Sequence, residues 1–162
     1  MKIKESNFVS NILNGLSIGI VITLIPSAIL GSLMRIFGND PAALAITQMT
    51  SVSQSLLAVV SAYAIAHFFK FSSIDSGSLM LAAFAGSGAY TFSKGTVILS
   101  GPGDIINIGL TIALSSLLIF LLKDRLGQLK VIFSPILVLS LGGGIGRLIF
   151  LSFIRSLLRS AA

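Results

Sequence analysis

Charged residues are distributed unevenly along the chain and leave five long stretches that contain no Asp, Glu, Lys or Arg. These stretches cover residues 6–34, 41–69, 76–93, 105–122 and 131–146, and the charges lie between them and at the two ends. In a soluble domain about a quarter of the residues are charged, because the outward face of each element meets water. We therefore expect the outward faces of this chain to meet lipid.

An α-helix crosses the hydrocarbon core of a bilayer with roughly 20 apolar residues. Five such passes with short turns would occupy nearly all of the 162 residues, of which 54% are hydrophobic and 10% charged. The runs do not alternate between apolar and polar residues as the strands of a membrane barrel do. The sequence predicts an all-α polytopic transmembrane helical bundle, a single domain over residues 1–162. Its expected membrane segments cover about 8–34, 41–69, 76–93, 105–122 and 131–150.

Residues typical of helix ends support this segmentation. Asp40 followed by Pro41 places a capping carboxylate before a proline at the first helical position, which predicts the start of the second segment. Asp104 is expected to cap the fourth segment in the same way. Pro26 is expected to kink or end the first helix, because proline lacks the amide hydrogen that an inner helical turn uses.

The orientation in the membrane is predicted by counting Lys and Arg, which are more frequent in cytoplasmic loops. A cytoplasmic N-terminus places six on that side (Lys2, Lys4, Lys70, Lys123, Arg125 and Lys130) and two in outside loops (Arg35 and Lys94). The basic tail, with Arg147, Arg155 and Arg159, opposes this count if the fifth segment crosses fully. Either that segment breaks at glycines 142–144 and turns back, or the tail is an exception to the preference of Lys and Arg for the cytoplasmic side. Residues 147–160 fit an interfacial basic helix or, alternatively, the plain end of a membrane helix.

The stretch from residue 94 to residue 107 departs from simple membrane spanning. A short apolar piece lies between Gly95 and the run Gly101, Pro102 and Gly103, and it is too short to cross a bilayer. Irregular backbone at membrane depth occurs where protein buries it or where it lines a watery cavity, and interrupted segments mark substrate sites in many transporters. We interpret these residues as a site-shaping, re-entrant loop, with an ordinary external loop as the alternative.

Polar side chains inside two predicted segments are candidates for binding a solute. Gln48 shares one helical face with Ser51 and Ser55 in the second segment, and Asn11 and Asn14 lie one turn apart in the first. Amides and hydroxyls within a bundle can bind a hydroxylated solute, and they can equally bond one helix to another. Both interpretations stay open for these residues.

Catalytic and metal-binding chemistry has little support in the sequence. Cysteine is absent and His67 is the only histidine, which excludes thiolate chemistry and predicts no metal site and no cofactor. The string Gly101-Pro102-Gly103-Asp104 matches the GxGD sequence of intramembrane aspartyl proteases, but no other predicted segment holds the second carboxylate that this chemistry needs. The net charge of +6 is interpreted as contact with anionic lipid, and not with nucleic acid.

Several glycine, proline and asparagine positions resemble those of one known family. The strings Asn11-Ile-Leu-Asn14-Gly15, Gly19 to Pro26 and Ala28-Ile-Leu-Gly31 resemble the first helix of bacterial phosphotransferase system enzyme IIC-like membrane proteins. They are most similar to the branch that includes perfringolysin regulator-type proteins. Later landmarks of that branch resemble the stretch from Lys94 to Asn107 and the glycines at 142–146 followed by Arg147.

This resemblance implies a sugar permease of the bacterial cytoplasmic membrane, with partner subunits of the phosphotransferase system that phosphorylate the sugar. It implies that Asn14, Asp104 and Asn107 contact or shape the sugar site, to which the stripe argument adds Gln48. Relatives are expected to be about twice as long, which would make five segments one half of an inverted-repeat transporter. Such a half would work as a homodimer or beside a separate second half.

Two other functions share the features described above. A membrane-bound regulator of the same family would sense a sugar without transporting it. A small substrate-capture subunit of a multi-component transporter would have a similar size and helix count, but should also have a pocket of aromatic residues or histidine. Only the small residues expected for its partner contact are present, in the third segment.

Overall fold

Long helices and one β-hairpin make up the computed structural model, which describes residues 5–122, 129–153 and 156. The first four helices are α1 (Glu5–Met34), α2 (Pro41–Ser55), α3 (Leu57–Phe68) and α4 (Ser73–Gly86), with a 3₁₀ turn (Arg35–Phe37) after α1. Strands β1 (Tyr90–Ser93) and β2 (Thr96–Leu99), and then helix α5 (Ile105–Leu122), follow. Helix α6 (Lys130–Leu137) continues in wider π-helical turns over Val138–Gly143 and Gly146–Phe150.

The first helix passes through Pro26 and continues to Met34, so the expectation that it ends at the proline is wrong. Hydroxyl groups next to the proline bind the backbone of the helix. Thr23 donates to the carbonyl of Gly19 over 2.8 Å, and Ser27 donates to that of Thr23 over 2.7 Å. These bonds satisfy the two hydroxyl groups within the helix, whereas the carbonyl that Pro26 leaves without an amide donor is that of Ile22, four residues earlier.

The second predicted segment is a bent pair of helices. Asp40 caps α2 as predicted, accepting hydrogen bonds from the amides of Ala42 at 2.9 Å and Ala43 at 3.4 Å. Helices α2 and α3 then meet at Leu56 with a bend of 46°. The sequence between residues 41 and 69 shows no proline or glycine inside the span that would have indicated this break.

The third predicted segment, 76–93, is helical only to Gly86, and this boundary corrects the sequence-based expectation. After Gly88, whose φ is +73°, the chain forms an antiparallel hairpin with Tyr90 opposite Leu99 and Ser93 opposite Thr96. The side chain of Asn107 donates to the carbonyl of Gly86 and so occupies a free acceptor at the end of the helix. Apolar residues of the hairpin extended the charge-free run, which concealed the change from helix to strand.

Helix α6 does not turn back at glycines 142–144. It continues to Phe153 as a stretch of 24 residues that is long and apolar enough to cross a membrane. Residues 154, 155 and 157–160 of the tail predicted as an interfacial basic helix lie outside the described residues, as do Lys2, Lys4, Lys123 and Arg125 from the charge count. The choice between the two interpretations of residues 147–160 therefore stays open beyond Phe153.

Within the described residues, three helices are long and apolar enough to span a membrane: Asn7–Phe37, Ile105–Leu122 and Lys130–Phe153. The bent pair α2 and α3 adds a fourth if it forms one span, whereas α4, with 14 residues, is shorter than an ordinary pass. Large apolar side chains such as Val21, Leu121 and Leu148 are exposed on the outside of the bundle. The predicted all-α polytopic membrane bundle is confirmed.

Contacts between helix ends define the two ends of the bundle. At the amino end, Phe8 stacks on Phe69 with ring centroids 5.2 Å apart, and Phe120 at the end of α5 packs against the same ring. At the hairpin end, the start of α5 meets the end of α4, where Asn107 binds Gly86. The core between the two ends consists of branched side chains from α3, α4 and α5, including Ile65, Leu79, Ile108 and Ile112.

Candidate functional site

A stripe of polar side chains follows the buried face of α5. Asn107, Thr111 and Ser115 are spaced by four residues and therefore lie on one helical face, with Ser116 beside them. All four side chains are fully buried. We call this set the α5 stripe.

Most polar atoms of the α5 stripe have no hydrogen-bond partner in the described part of the chain. These atoms are Oδ1 of Asn107, Oγ1 of Thr111 and the Oγ atoms of Ser115 and Ser116. A buried polar group without a partner costs about 1–3 kcal/mol, and such groups are rare in folded proteins. The stripe therefore has unused capacity for hydrogen bonds inside the bundle.

Glycines of two neighbouring helices cover the α5 stripe. A Cβ atom on Gly142 would collide with Oγ of Ser115, and one on Gly146 would collide with Oγ1 of Thr111. Gly86 of α4 also approaches Thr111 closely, because a Cβ there would lie 2.7 Å from Cγ2. Small residues at four-residue spacing allow membrane helices to approach in this way. The stripe is thus closed by backbone and not by interlocked side chains.

The loop predicted to shape the site joins the hairpin to α5. Asp104 caps this helix, as predicted, by accepting from the amide of Asn107 at 2.9 Å, and its own amide donates to the carbonyl of Ser87 over 3.0 Å. Gly103 has φ +82°, and a Cβ atom there would lie only 2.5 Å from the oxygen of Ser87. The structure therefore brings two of the predicted residues, Asp104 and Asn107, to one joint at the end of α4.

The rest of the predicted loop is divided between this joint and the outside. Gly101 and Pro102 are half-buried next to the joint. Gly95 forms the hairpin turn with Lys94, where φ is +79° and +48°, and nothing lies within 4 Å of a Cβ placed on Gly95. Strand β2 is exposed along its length. The segment is thus a hairpin whose tip, at Lys94 and Gly95, lies outside the bundle, whereas the residues that follow β2 contact the bundle at the joint.

Arg147 of α6 holds the hairpin against the bundle. Its guanidinium carbon lies 4.3 Å from the ring centroid of Tyr90 and 5.3 Å from that of Phe92. One nitrogen, Nη2, donates to the carbonyl of Tyr90 over 3.4 Å, while Nη1 is buried without a partner in the described residues. The ring of Tyr90 in turn stacks on Phe84 at 5.3 Å. The guanidinium therefore connects α6 to the hairpin.

The other two predicted solute contacts lie elsewhere. Asn14 is exposed on α1 and donates to Oγ of Ser10 over 3.5 Å, and Gln48 is exposed on α2. Neither shares a hydrogen bond with Asp104 or Asn107 in the ranges that the structure describes. Next to Gln48, the hydroxyls of the predicted stripe donate to carbonyls of their own helix, as with Ser51 to Thr47 at 3.1 Å. The structure therefore does not bring the four predicted residues together.

A charged network at the amino end was not found from the sequence. Asp75 is buried, and its Oδ2 accepts from Nζ of Lys130 at 2.6 Å and from Oγ of Ser72 at 2.8 Å. Its Oδ1 accepts from Oγ of Ser134 at 3.3 Å. Asp75 lies between two charge-free runs, and a charged residue at such a position is usually assigned to an exposed turn. The one feature of the sequence that could have indicated the pair is the opposite charge of Lys130, which also lies next to a charge-free run. This network joins the first turns of α4 and α6.

An open cavity of about 620 Å³ lies at the same end, in the corner between α3 and α4. Its polar lining comes from Tyr63, His67, Lys70, Ser73 and Ser76. The described residues contain no group of three or more His, Cys, Asp or Glu side chains that could hold a metal ion.

Comparison with known families matches residues 10–160 to the family described as "Phosphotransferase system, EIIC". Neither the search of curated proteins nor the search of solved structures gives a significant match.

Proposed function

The chain belongs to the phosphotransferase system EIIC family, and we propose that it is a sugar permease-like subunit that binds a sugar and passes it inward for phosphorylation by partner subunits. We place it in the bacterial cytoplasmic membrane with its N-terminus in the cytoplasm. The count of six Lys and Arg residues in the cytoplasmic loops against two in the outside loops supports this orientation, whereas the tail with Arg147, Arg155 and Arg159 opposes it.

The α5 stripe is the observation that carries the proposal. Its amide and hydroxyl groups are of the kind that bind the hydroxyls of a sugar, and most of their hydrogen-bonding atoms have no partner in the described residues. A sugar in contact with Asn107, Thr111 and Ser115 would supply the missing hydrogen bonds. The family gives the chemical class of the solute, and the stripe gives a surface of matching chemistry.

The stripe is closed in this structure, so binding a sugar there requires α6 to move against α5. The contact can shear, because glycine backbone covers the hydroxyls and no large side chain interlocks at Gly142 or Gly146. Two contacts hold α6 at opposite ends of the bundle, Lys130 with Asp75 and Arg147 with Tyr90. We propose that releasing one contact while keeping the other opens the stripe toward one side of the membrane.

The predicted residues take different parts in this proposal. Asp104 and Asn107 shape the hairpin end of the stripe, together with Gly101, Pro102 and Gly103. Asn14 and Gln48 lie on exposed faces of α1 and α2. They would contact the solute where a second copy of the chain, or a separate second half, covers these faces.

Uptake by reconstituted vesicles tests this function. Vesicles containing the purified protein would be given a panel of labelled sugars, with and without phosphorylated soluble components of a phosphotransferase system. We expect uptake of at least one sugar that depends on the phosphorylated components. Thr111→Val and Ser115→Ala should each lower that uptake by about fivefold or more, because each removes a hydrogen bond to a sugar hydroxyl.

Ser140→Ala on α6 is the matched control, because the hydroxyl of Ser140 is exposed and already donates to the carbonyl of Ile136. It should leave uptake unchanged. Thr111→Val and Ser115→Ala remove buried hydroxyls that have no partner in the described residues, so both variants should be at least as stable as the unmodified protein. Loss of uptake at unchanged thermal stability would then not be ascribed to unfolding. A protein that binds and transports no sugar, and whose deletion alters transcription, would be a regulator instead.

A further inference from the structure

We propose that the cavity between α3 and α4 is a binding site for a phosphate group, carried either by a soluble phosphate ester or by a lipid headgroup. The site lies at the amino end of the bundle. It is separate from the α5 stripe, and it does not depend on whether the stripe binds a sugar. Its recognition chemistry comes from one lysine, one histidine and hydroxyl groups.

The polar lining of the cavity consists of hydrogen-bond donors and contains no carboxylate. Lys70 contributes an ammonium group, His67 an imidazole, and Ser73 and Ser76 contribute hydroxyls. Among the described residues, Asp75 lies next to the lining serines in the sequence, but it is 2% exposed and is paired with Lys130 and Ser134 on the other side of α4. An anion in the cavity would therefore meet positive charge and hydroxyl donors without a competing carboxylate.

Helix α4 adds a favourable field to these side chains. Ser73, Ser76 and Gly77 belong to its first turns and line the cavity, so the positive end of the helix dipole lies there. Free amides at a helix start bind phosphate in many proteins. The field supports the site, but Lys70 and the hydrogen-bonding side chains around the cavity are what define it.

The backbone at Lys70 provides a separate observation. Lys70 follows α3 in the left-handed conformation, with φ +53°, and its amide donates to the carbonyl of His67 over 3.1 Å. Glycine is the usual residue at this position of a helix end, because a side chain there costs about 1 kcal/mol. A lysine at a position that favours glycine directs an ammonium group to the rim of the cavity at a cost in stability.

A phosphate group suits this site better than a neutral solute. It accepts several hydrogen bonds at once, and it carries a negative charge that can pair with Lys70. Lys70 has no carboxylate partner within the described residues. A cavity of about 620 Å³ has room for the phosphate and for a group of moderate size attached to it. The rings of Phe69 and Phe71 lie beside this corner of the bundle, so an apolar tail would also find contacts.

Two probes distinguish the sources of the phosphate. The purified chain in detergent would be titrated calorimetrically with glycerol 3-phosphate, and nanodiscs of zwitterionic lipid containing a small fraction of phosphatidic acid would be analysed for lipid retained after extraction. We expect the protein to bind at least one of these probes, and the probe that binds identifies the source. Binding of neither probe would overturn the proposal.

Lys70→Gly is the decisive variant, because glycine relieves the left-handed backbone and the fold should be at least as stable. It should weaken binding of the phosphate probe about tenfold or more. Lys94→Gly is the matched control, since Lys94 is also a left-handed lysine, with φ +48°, but lies in the hairpin turn at the opposite end. Equal losses in the two variants would show a general charge effect and contradict the site.

A sugar titration keeps this proposal separate from the proposed function. Thr111→Val should leave phosphate binding unchanged, and Lys70→Gly should leave the binding of unphosphorylated sugar unchanged. A protein that takes up no sugar but binds phosphate through Lys70 would retain this site while losing the permease function.

Discussion

Lys130 donates a hydrogen bond to the buried carboxylate of Asp75 over 2.6 Å and so ties the first turn of α6 to the first turn of α4. The two residues are separated by 55 positions in the sequence. Side chains at this contact are 3% exposed for Asp75 and 20% exposed for Lys130. A buried charge needs a partner, because the desolvation cost would otherwise be large. The pair therefore fixes where α6 lies at the amino end.

Removing one partner of this pair should destabilise the bundle. We expect Asp75→Asn to lower the free energy of unfolding by about 2–3 kcal/mol, less than for a fully buried pair because Lys130 is partly solvated. The measurement is a titration with a denaturing detergent, followed by circular dichroism. Lys130→Met should also destabilise, since it leaves the carboxylate of Asp75 without its cation. The double variant should cost less than the sum of the two single changes; strict additivity would contradict the coupling.

The glycines that cover the α5 stripe should not tolerate a methyl group. Gly142→Ala would press a Cβ against Ser115, and we expect a loss of about 1–3 kcal/mol in the same detergent titration. Gly144→Ala is the control on the same helix, because nothing lies within 4 Å of its Cβ position. It should be neutral or slightly stabilising. Ser115→Ala should partly rescue Gly142→Ala by removing the nearest atom, and no difference between the two alanine variants would argue against the close approach.

The joint between the hairpin and α5 should depend on Gly103 more than on Gly95. Both have nearly the same left-handed φ, +82° and +79°, so alanine strains the backbone similarly at each. Only at Gly103 does the added Cβ also meet a backbone oxygen, that of Ser87. We expect Gly103→Ala to cost about 1–3 kcal/mol more than Gly95→Ala. Equal costs in thermal unfolding would mean that the backbone conformation alone sets the requirement.

Arg147 should control how firmly the hairpin is held. Arg147→Gln removes the guanidinium from the face of Tyr90, an interaction worth about 1–2 kcal/mol when it is partly desolvated. Amide hydrogen exchange of residues 90–99 should then become roughly tenfold faster, since the hairpin opens more often. Arg35→Gln, at an exposed arginine, is the control and should leave these rates unchanged. Unaltered exchange in Arg147→Gln would show that strand pairing alone holds the hairpin.

Segment ends with a strong local signal were predicted well. Asp40 and Asp104 cap their helices as expected, because capping depends only on a carboxylate and the amides two or three residues later. The end of α4 at Gly86 was missed, because apolar residues of the hairpin extended the charge-free run past the left-handed Gly88 that follows the helix. Local sequence therefore indicated where helices start better than where α4 stops.

Some residues of the candidate site were likewise named from the sequence, and others were identified only in the structure. Asp104 and Asn107 were named because the resemblance to enzyme IIC-like proteins implied them, and the structure brings them to one joint. Thr111 and Ser115 were missed, although their spacing from Asn107 is the helical spacing that drew attention to Gln48. Nothing in that spacing alone distinguishes a polar stripe that is buried, as on α5, from one that is exposed, as on α2.

The sequence by itself determined that the outward surface of this protein meets lipid and that its fold is a helical membrane bundle. Long stretches without charge exclude a water-facing surface, because each segment must match the solvent that its outward face meets. The tertiary structure alone decided which polar groups are buried. In the described part of the chain, the hydroxyls of Thr111 and Ser115 lack partners because Gly142 and Gly146, which are distant in sequence, pack their backbone directly over them. Burial depends on the neighbouring helix, and the pattern of one segment does not contain that information.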